Sequence, residues 1–126
     1  LPLYARVEEP EKVLAELEAN IVPALPISVL LLGMGADMHT ASLFPGGDQL
    51  EAALAPHAPV LVPMRKAGLE DVRVTLSARV LNGAMSKHLV ITGQSKRAAL
   101  DRARASLPTE APVAALLQDM TVHWAP

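Results

Sequence analysis

The stretch Leu30-Leu31-Leu32-Gly33-Met34-Gly35-Ala36-Asp37-Met38-His39-Thr40-Ala41-Ser42-Leu43-Phe44-Pro45-Gly46-Gly47 decides the fold. A fully apolar run ends abruptly in glycines, an acid and a histidine follow, then two hydroxyl side chains and a Pro-Gly-Gly exit. The apolar run reads as a buried strand and the remainder as the loop at its carboxyl end. In open parallel α/β sheets ligands bind at that place. Gly33 and Gly35 let the backbone turn tightly and approach a ligand closely. Asp37 and His39 supply a candidate orienter and a candidate general base.

Outward from this loop, the continuous β-branched and leucine run Ile27 to Leu32 predicts a strand buried on both faces. Upstream, residues 1–9 read as the end of a strand and its exit. Pro10 suits a first helical turn. Val13, Leu14, Leu17 and Ile21 share one face of a helix over Glu11 to Ile21, which Pro23 and Pro26 stop. Downstream, Asp48 is expected to cap a short helix from Gln49 to Ala55, with Glu51 completing a capping box. Val60 to Met64 is a second apolar strand, and Arg65 to Asp71 a charged loop. Val72, Val74 and Leu76 alternate with Arg73, Thr75 and Ser77 in a half-exposed strand. One or two helical turns follow over Ser77 to Ala84. His88 to Thr92 is another buried strand, broken by Gly93 before a helix over Ser95 to Ser106. Pro112 opens a short helix to Gln118, and Met120 to Trp124 is the last strand. The alternation predicts a three-layer α/β architecture, Rossmann-like, with a mainly parallel sheet and helices on both faces. Ile27–Leu32, Val60–Met64 and His88–Thr92 are expected as neighbouring, largely parallel strands.

The 126 residues suffice for a single α/β domain with a real core, and 51% hydrophobic residues exclude a disordered chain. No apolar run approaches a membrane span, and the start does not read as a signal peptide. Without cysteine there are no disulfides or thiolate metal sites, which fits a reducing cytoplasm. A net charge of −2 leaves no electrostatic footprint for nucleic acid. Tyr4, Phe44 and Trp124 are too few aromatics for a base-stacking platform. A small molecule or another protein remains as the partner.

The residues that could carry chemistry are few. A dinucleotide fingerprint G-x-G-x-x-G is broken by Met38 at its third glycine, and no acid lies at the required later strand end. A Ser42–His39–Asp37 triad would be confined to one short loop, and the G-x-S-x-G elbow is absent. His57, His88 and His123 are scattered without metal-ligand spacing. His57 reads as solvent-exposed, His88 as lying at the amino edge of its strand, and His123 as a packing or hydrogen-bonding residue. Lys96 stands in the first turn of its helix, where anions are favoured. It is either a solvated charge or a phosphate ligand. Arg65 and Lys66, in the loop after another strand, could join it, and Arg73 lies on the polar side of its strand. An exposed charge is the ordinary reading of each.

The motif Gly33 to Gly46 resembles the signature of the 6-phosphogluconolactonases. Two further blocks agree in order: Arg73-Val74-Thr75-Leu76-Ser77 with Val80-Leu81-Asn82, and Leu89-Val90-Ile91-Thr92-Gly93-Gln94-Ser95-Lys96 with Ala98 and Leu100. The segment Pro112 to Trp124 is also similar, so the resemblance runs from about Ile27 onward. It implies hydrolysis of 6-phospho-D-glucono-1,5-lactone in the pentose phosphate pathway, with no metal and no organic cofactor. His39 would be the general base and Asp37 its orienter. Backbone groups of the loop at Gly33 and Gly35 would meet the substrate, and Lys96 and Arg73, with Lys66 or Arg65, its phosphate. The family usually has glycine where this chain has Met38, a substitution that costs energy if φ is positive there. An aspartate often precedes the family's apolar strand, where Ser28 stands here. Family members are longer and carry a glycine- and serine-rich phosphate loop near their amino terminus, so residues 1–126 are expected to be the C-terminal part of a longer lactonase domain. Two other readings stand beside this one. The first is a glucosamine-6-phosphate deaminase or isomerase, whose Phe-Asn-Glu-Pro run is replaced here by Ser42-Leu43-Phe44-Pro45. The second is a non-catalytic phosphosugar-binding module.

Overall fold

A computed structural model describes the chain apart from Tyr4, Arg6 and Val7. The strand end expected across residues 1–9 includes those three and lies outside the described residues. The strands are β1 (Val29–Leu32), β2 (Leu61–Met64), β3 (Arg73–Leu76), β4 (Ser86–Thr92) and β5 (Met120–Ala125). The helices are α1 (Leu14–Ile21), α2 (Leu50–Leu54), α3 (Ala78–Asn82) and α4 (Gln94–Ala103), and Pro112–Leu116 forms a 3-10 helix where a short helix was expected. Among the described residues no helix is long and apolar enough to cross a membrane.

The α/β class holds, with helices packed on a parallel sheet at the face of Leu30, Leu89 and Ile91. β1, β4 and β5 form it in that order, Leu32 pairing with Leu89 and Thr92 with Ala125. The expectation that Val60–Met64 joins this sheet fails. β2 pairs antiparallel with β3 in a separate two-stranded ribbon, Met64 facing Arg73. The short connection over residues 65–72 accounts for the antiparallel sense of the β2–β3 pair, because a parallel crossover needs roughly a dozen residues or more. Pro63, which cannot donate to a ladder, is tolerated in such a ribbon because both strands are edges.

Alternation along the strands decides the packing. Leu30, Leu89 and Ile91 are buried on one face of the sheet. They join two clusters: Leu43, Leu50, Val62, Met64, Leu81 and Leu116 gather around Leu30, while Met34, Ala99, Leu100 and Val113 gather around Leu89 and Ile91. Full burial of each such leucine contributes about 1.5–3 kcal/mol. α1 adds a third cluster through Leu17 and Ile21 against Leu61 and Val80. The opposite alternation is open: Val29 is 65% exposed and Leu31 67%. β1 is therefore an edge strand buried on one face, not the doubly buried strand that its uniform apolarity predicts.

Asp48 does not cap α2, which begins at Leu50 behind Gln49 with no side-chain cap. Its carboxylate instead accepts the Arg65 backbone N–H at 2.8 Å, while its own N–H donates to the Arg65 carbonyl at 2.9 Å. The residue that looks like a cap thus clasps the start of α2 to the end of β2.

Candidate active site

The loop after β1 folds on itself through short-range bonds. The Gly35 N–H donates to the His39 carbonyl at 3.0 Å, and the Met38 N–H to the Gly35 carbonyl at 2.9 Å. The Thr40 hydroxyl donates to the Gly33 carbonyl at 2.8 Å, and the Leu43 N–H to the Thr40 carbonyl at 3.0 Å. Thr40 and Leu43 are buried, so these bonds form away from water and anchor the loop in the core.

Two positions depend on backbone conformation. Gly35 is a steric requirement, because a Cβ there would collide with the His39 ring and the Asp37 carboxylate. Met38 adopts φ 69°, the left-handed region. A non-glycine residue pays about 1–2 kcal/mol for it. Two contacts oppose that cost: the Met38 carbonyl accepts the Val113 N–H at 3.2 Å, and its side chain packs on the cluster around Leu89 and Val113. The loop keeps the backbone shape for which glycine is suited while carrying a methionine.

That shape brings His39 Nδ1 to 2.5 Å from Asp37 Oδ1. The same oxygen accepts the His39 backbone N–H at 3.1 Å. An ionised Asp37 fixes Nδ1 as the protonated nitrogen and leaves Nε2 with a free lone pair. Burial pushes the Asp37 carboxyl upward, but the hydrogen bonds from the His39 ring and backbone, with the charges of His39 and Lys66, hold it below the usual carboxylate value. Phe44 packs on the imidazole with ring centroids 4.8 Å apart and planes at 40°. The His39 side chain remains 34% exposed, so a ligand can reach it.

The basic residues divide. Lys66 Nζ lies 4.0 Å from Asp37 Oδ2 and 6.0 Å from the centre of the Phe44 ring, within this cluster. Arg65 is committed elsewhere, its guanidinium paired with Glu11. Arg73 opens β3 opposite Met64, at the end of the ribbon that leads into Lys66. Lys96 stands in the first turn of α4 behind Gly93, which has φ 85°. The Trp124 indole N–H holds the Gly93 carbonyl at 3.0 Å, and the Gly93 N–H donates to the Ala125 carbonyl at 2.9 Å. Because β1 and β4 run parallel, His39 and Lys96 follow the carboxyl ends of adjacent strands.

The remaining candidates fall outside this cluster. Ser42 makes no hydrogen bond to His39 among the described residues; its N–H donates to the Thr75 hydroxyl at 3.3 Å. His88 and His123 bond to each other at 3.0 Å across β4 and β5. Among the described residues no group of three or more His, Asp or Glu side chains could hold a metal. Sequence reasoning missed Phe44, Thr40 and Thr75. Phe44 left a signal, being one of only three aromatic residues and close to His39 in the chain.

Residues 1–124 match the family model described as glucosamine-6-phosphate isomerases/6-phosphogluconolactonase. A 6-phosphogluconolactonase of Rhizobium meliloti is 36% identical over 133 aligned positions, covering 100% of this chain and 57% of that protein. One from Pseudomonas aeruginosa is 44% identical over 105 positions, covering 81% and 44%. The crystal structure of a 6-phosphogluconolactonase from Shewanella baltica OS155 superimposes with a TM-score of 0.90 at 26% identity, over 98% of this chain and 55% of that one. The chain therefore spans about half the length of the relatives it matches. It belongs to the family of glucosamine-6-phosphate isomerases and 6-phosphogluconolactonases.

Proposed function

We propose that the chain carries the catalytic loop of a cytoplasmic 6-phosphogluconolactonase, which hydrolyses 6-phospho-D-glucono-1,5-lactone to 6-phosphogluconate. The observation that carries this reading is the Asp37–His39 hydrogen bond of 2.5 Å in a glycine loop at the sheet's carboxyl edge. It supports a base whose tautomer is fixed and whose second nitrogen is left free to take a proton.

In this mechanism Nε2 of His39 takes a proton from water as the water oxygen attacks the lactone carbonyl carbon. The tetrahedral oxyanion is met by backbone N–H groups of the loop. The N–H groups of Gly35, Met38 and His39 are already used within the loop, so those of Ala36 and Asp37 are the donors assigned here. The bond from the carbonyl carbon to the ring oxygen then breaks, and the imidazolium returns its proton to that oxygen. Asp37 holds the ring in place and stabilises its charged form. Lys96, Arg73 and Lys66 neutralise the phosphate, and no metal or cofactor takes part.

The family also contains isomerases that act on an amino sugar phosphate, as its description states. The test is to supply the intact protein with the phosphorylated lactone and, separately, with glucosamine 6-phosphate. The proposal expects acid release from the lactone above the spontaneous rate and no ammonia from the amino sugar. Ammonia release without lactonase activity would assign the isomerase branch, and binding of both without turnover a phosphosugar-binding module.

A further inference from the structure

A second polar pocket lies at the opposite end of the sheet from His39, where β4 and β5 begin. It is a half-open surface depression of about 380 Å³, lined by the buried Lys87 and by the exposed Asn82, Met85, Gln118 and Asp119, among others. Lys87 is only 7% exposed, which is unusual for a lysine. Its ammonium donates to the Asn82 side-chain oxygen at 2.8 Å and to the Leu116 carbonyl at 2.9 Å. Both acceptors are neutral oxygens. An ammonium has three donors, and among the described residues the third has no acceptor. Asn82 is itself held, its amide donating to the Ala115 carbonyl at 2.9 Å. Burial pushes the Lys87 ammonium below its ordinary value and the Asp119 charge opposes that, with no direct ion pair between them among the described residues. Asp119 also stands at φ 57°, a left-handed conformation that a non-glycine residue adopts at a cost.

We propose that the Lys87 pocket is a second binding site, separate from the catalytic loop, for a small neutral hydroxyl-rich molecule of the polyol or sugar class. The lining decides the class. An anion would meet the Asp119 carboxylate, a cation would meet Lys87, and an apolar molecule would bury polar groups without partners. A hydroxyl group can accept from the Lys87 ammonium while donating to the Asp119 carboxylate. A molecule with several adjacent hydroxyls extends that pairing to Gln118. The volume falls within the range of small-molecule pockets.

The test uses D-sorbitol as probe and the intact protein labelled with ¹³C at lysine. The expected result is a saturable shift of the Lys87 Cε resonance on titration, with the His39 ring signals unmoved. Asp119→Asn, which keeps the size of the side chain, should weaken apparent affinity at least several-fold. Lys87→Met should abolish saturable binding, measured by calorimetry once its fold is checked by circular dichroism. If Lys87→Met does not fold, the Asp119→Asn titration decides alone. No saturable shift, a shift unaffected by Asp119→Asn, or saturation by inorganic phosphate in place of sorbitol would each overturn the proposal.

Discussion

The site rests on a steric exclusion at Gly35. Any β-carbon there displaces the imidazole from Asp37, and misplacing a catalytic group by about 1 Å costs on the order of 10²-fold in rate. Gly35→Ala should therefore lower kcat by about that factor while leaving the circular dichroism spectrum nearly unchanged, since the loop's anchors are Thr40 and Leu43. Asp37 adds a pH dependence. Its folded-state pKa is depressed, so the clamp's contribution to stability is fully present above the ordinary carboxylate value and is lost as pH falls through the lower folded value. Urea melts of the wild type and Asp37→Asn should differ at neutral pH and converge in strong acid; a gap that stays constant with pH would assign the stabilisation to something other than the carboxylate. At this scale the sequence was informative where chemistry and geometry share a residue. The proximity of Asp37 and His39 and the conditional cost at Met38 were legible; the steric reason for Gly35 was not, because it lies in how the His39 ring folds back over the loop. The stacking of Phe44 on His39 was not, because it depends on how the loop closes through Thr40 and Leu43, which no periodicity encodes.

Among the elements, α4 carries the most direct functional consequence. Gly93 is fixed by Trp124 and Ala125 of β5, and this sets where Lys96 stands in the first turn of α4. In the proposed function Lys96 meets the substrate phosphate, and if that contact, remote from the lactone carbonyl, is equal in ground and transition states, its loss raises KM alone. Lys96→Ala should therefore raise KM several-fold with kcat within about twofold of wild type. Steady-state kinetics on the phosphorylated lactone checks this, and an equal fall in kcat would place Lys96 at the reacting centre. Element identity was largely legible: β1, β4, β5, α1 and α4 fall near their expected positions because their apolar spacing is regular. Pairing was not. The apolar run at Val60–Met64 looks like a strand of the parallel sheet, and only the shortness of the connection over residues 65–72 turns it back on β3. Asp48 shows the same limit, since a capping residue and a clasp to a distant strand have the same local sequence.

For the molecule as a whole, the sheet is covered on the face of Leu30, Leu89 and Ile91 and open on the face of Val29 and Leu31, with Val90 also 45% exposed. Uniform apolarity told of burial without telling how much of it this chain itself supplies. An open apolar edge strand is prone to pair with other chains. The 126-residue chain by itself should therefore self-associate, and Leu31→Lys should shift it toward monomer in sedimentation velocity; identical profiles would mean that this face is inert. In the proposed mechanism His39 activates water for attack on the lactone. The most direct measurement is kcat of His39→Asn in the intact protein, with spontaneous hydrolysis subtracted at each pH. A general base at His39 means a loss of about 10²- to 10⁴-fold, the scale of general-base assistance, whereas a variant with wild-type kcat would place the base elsewhere.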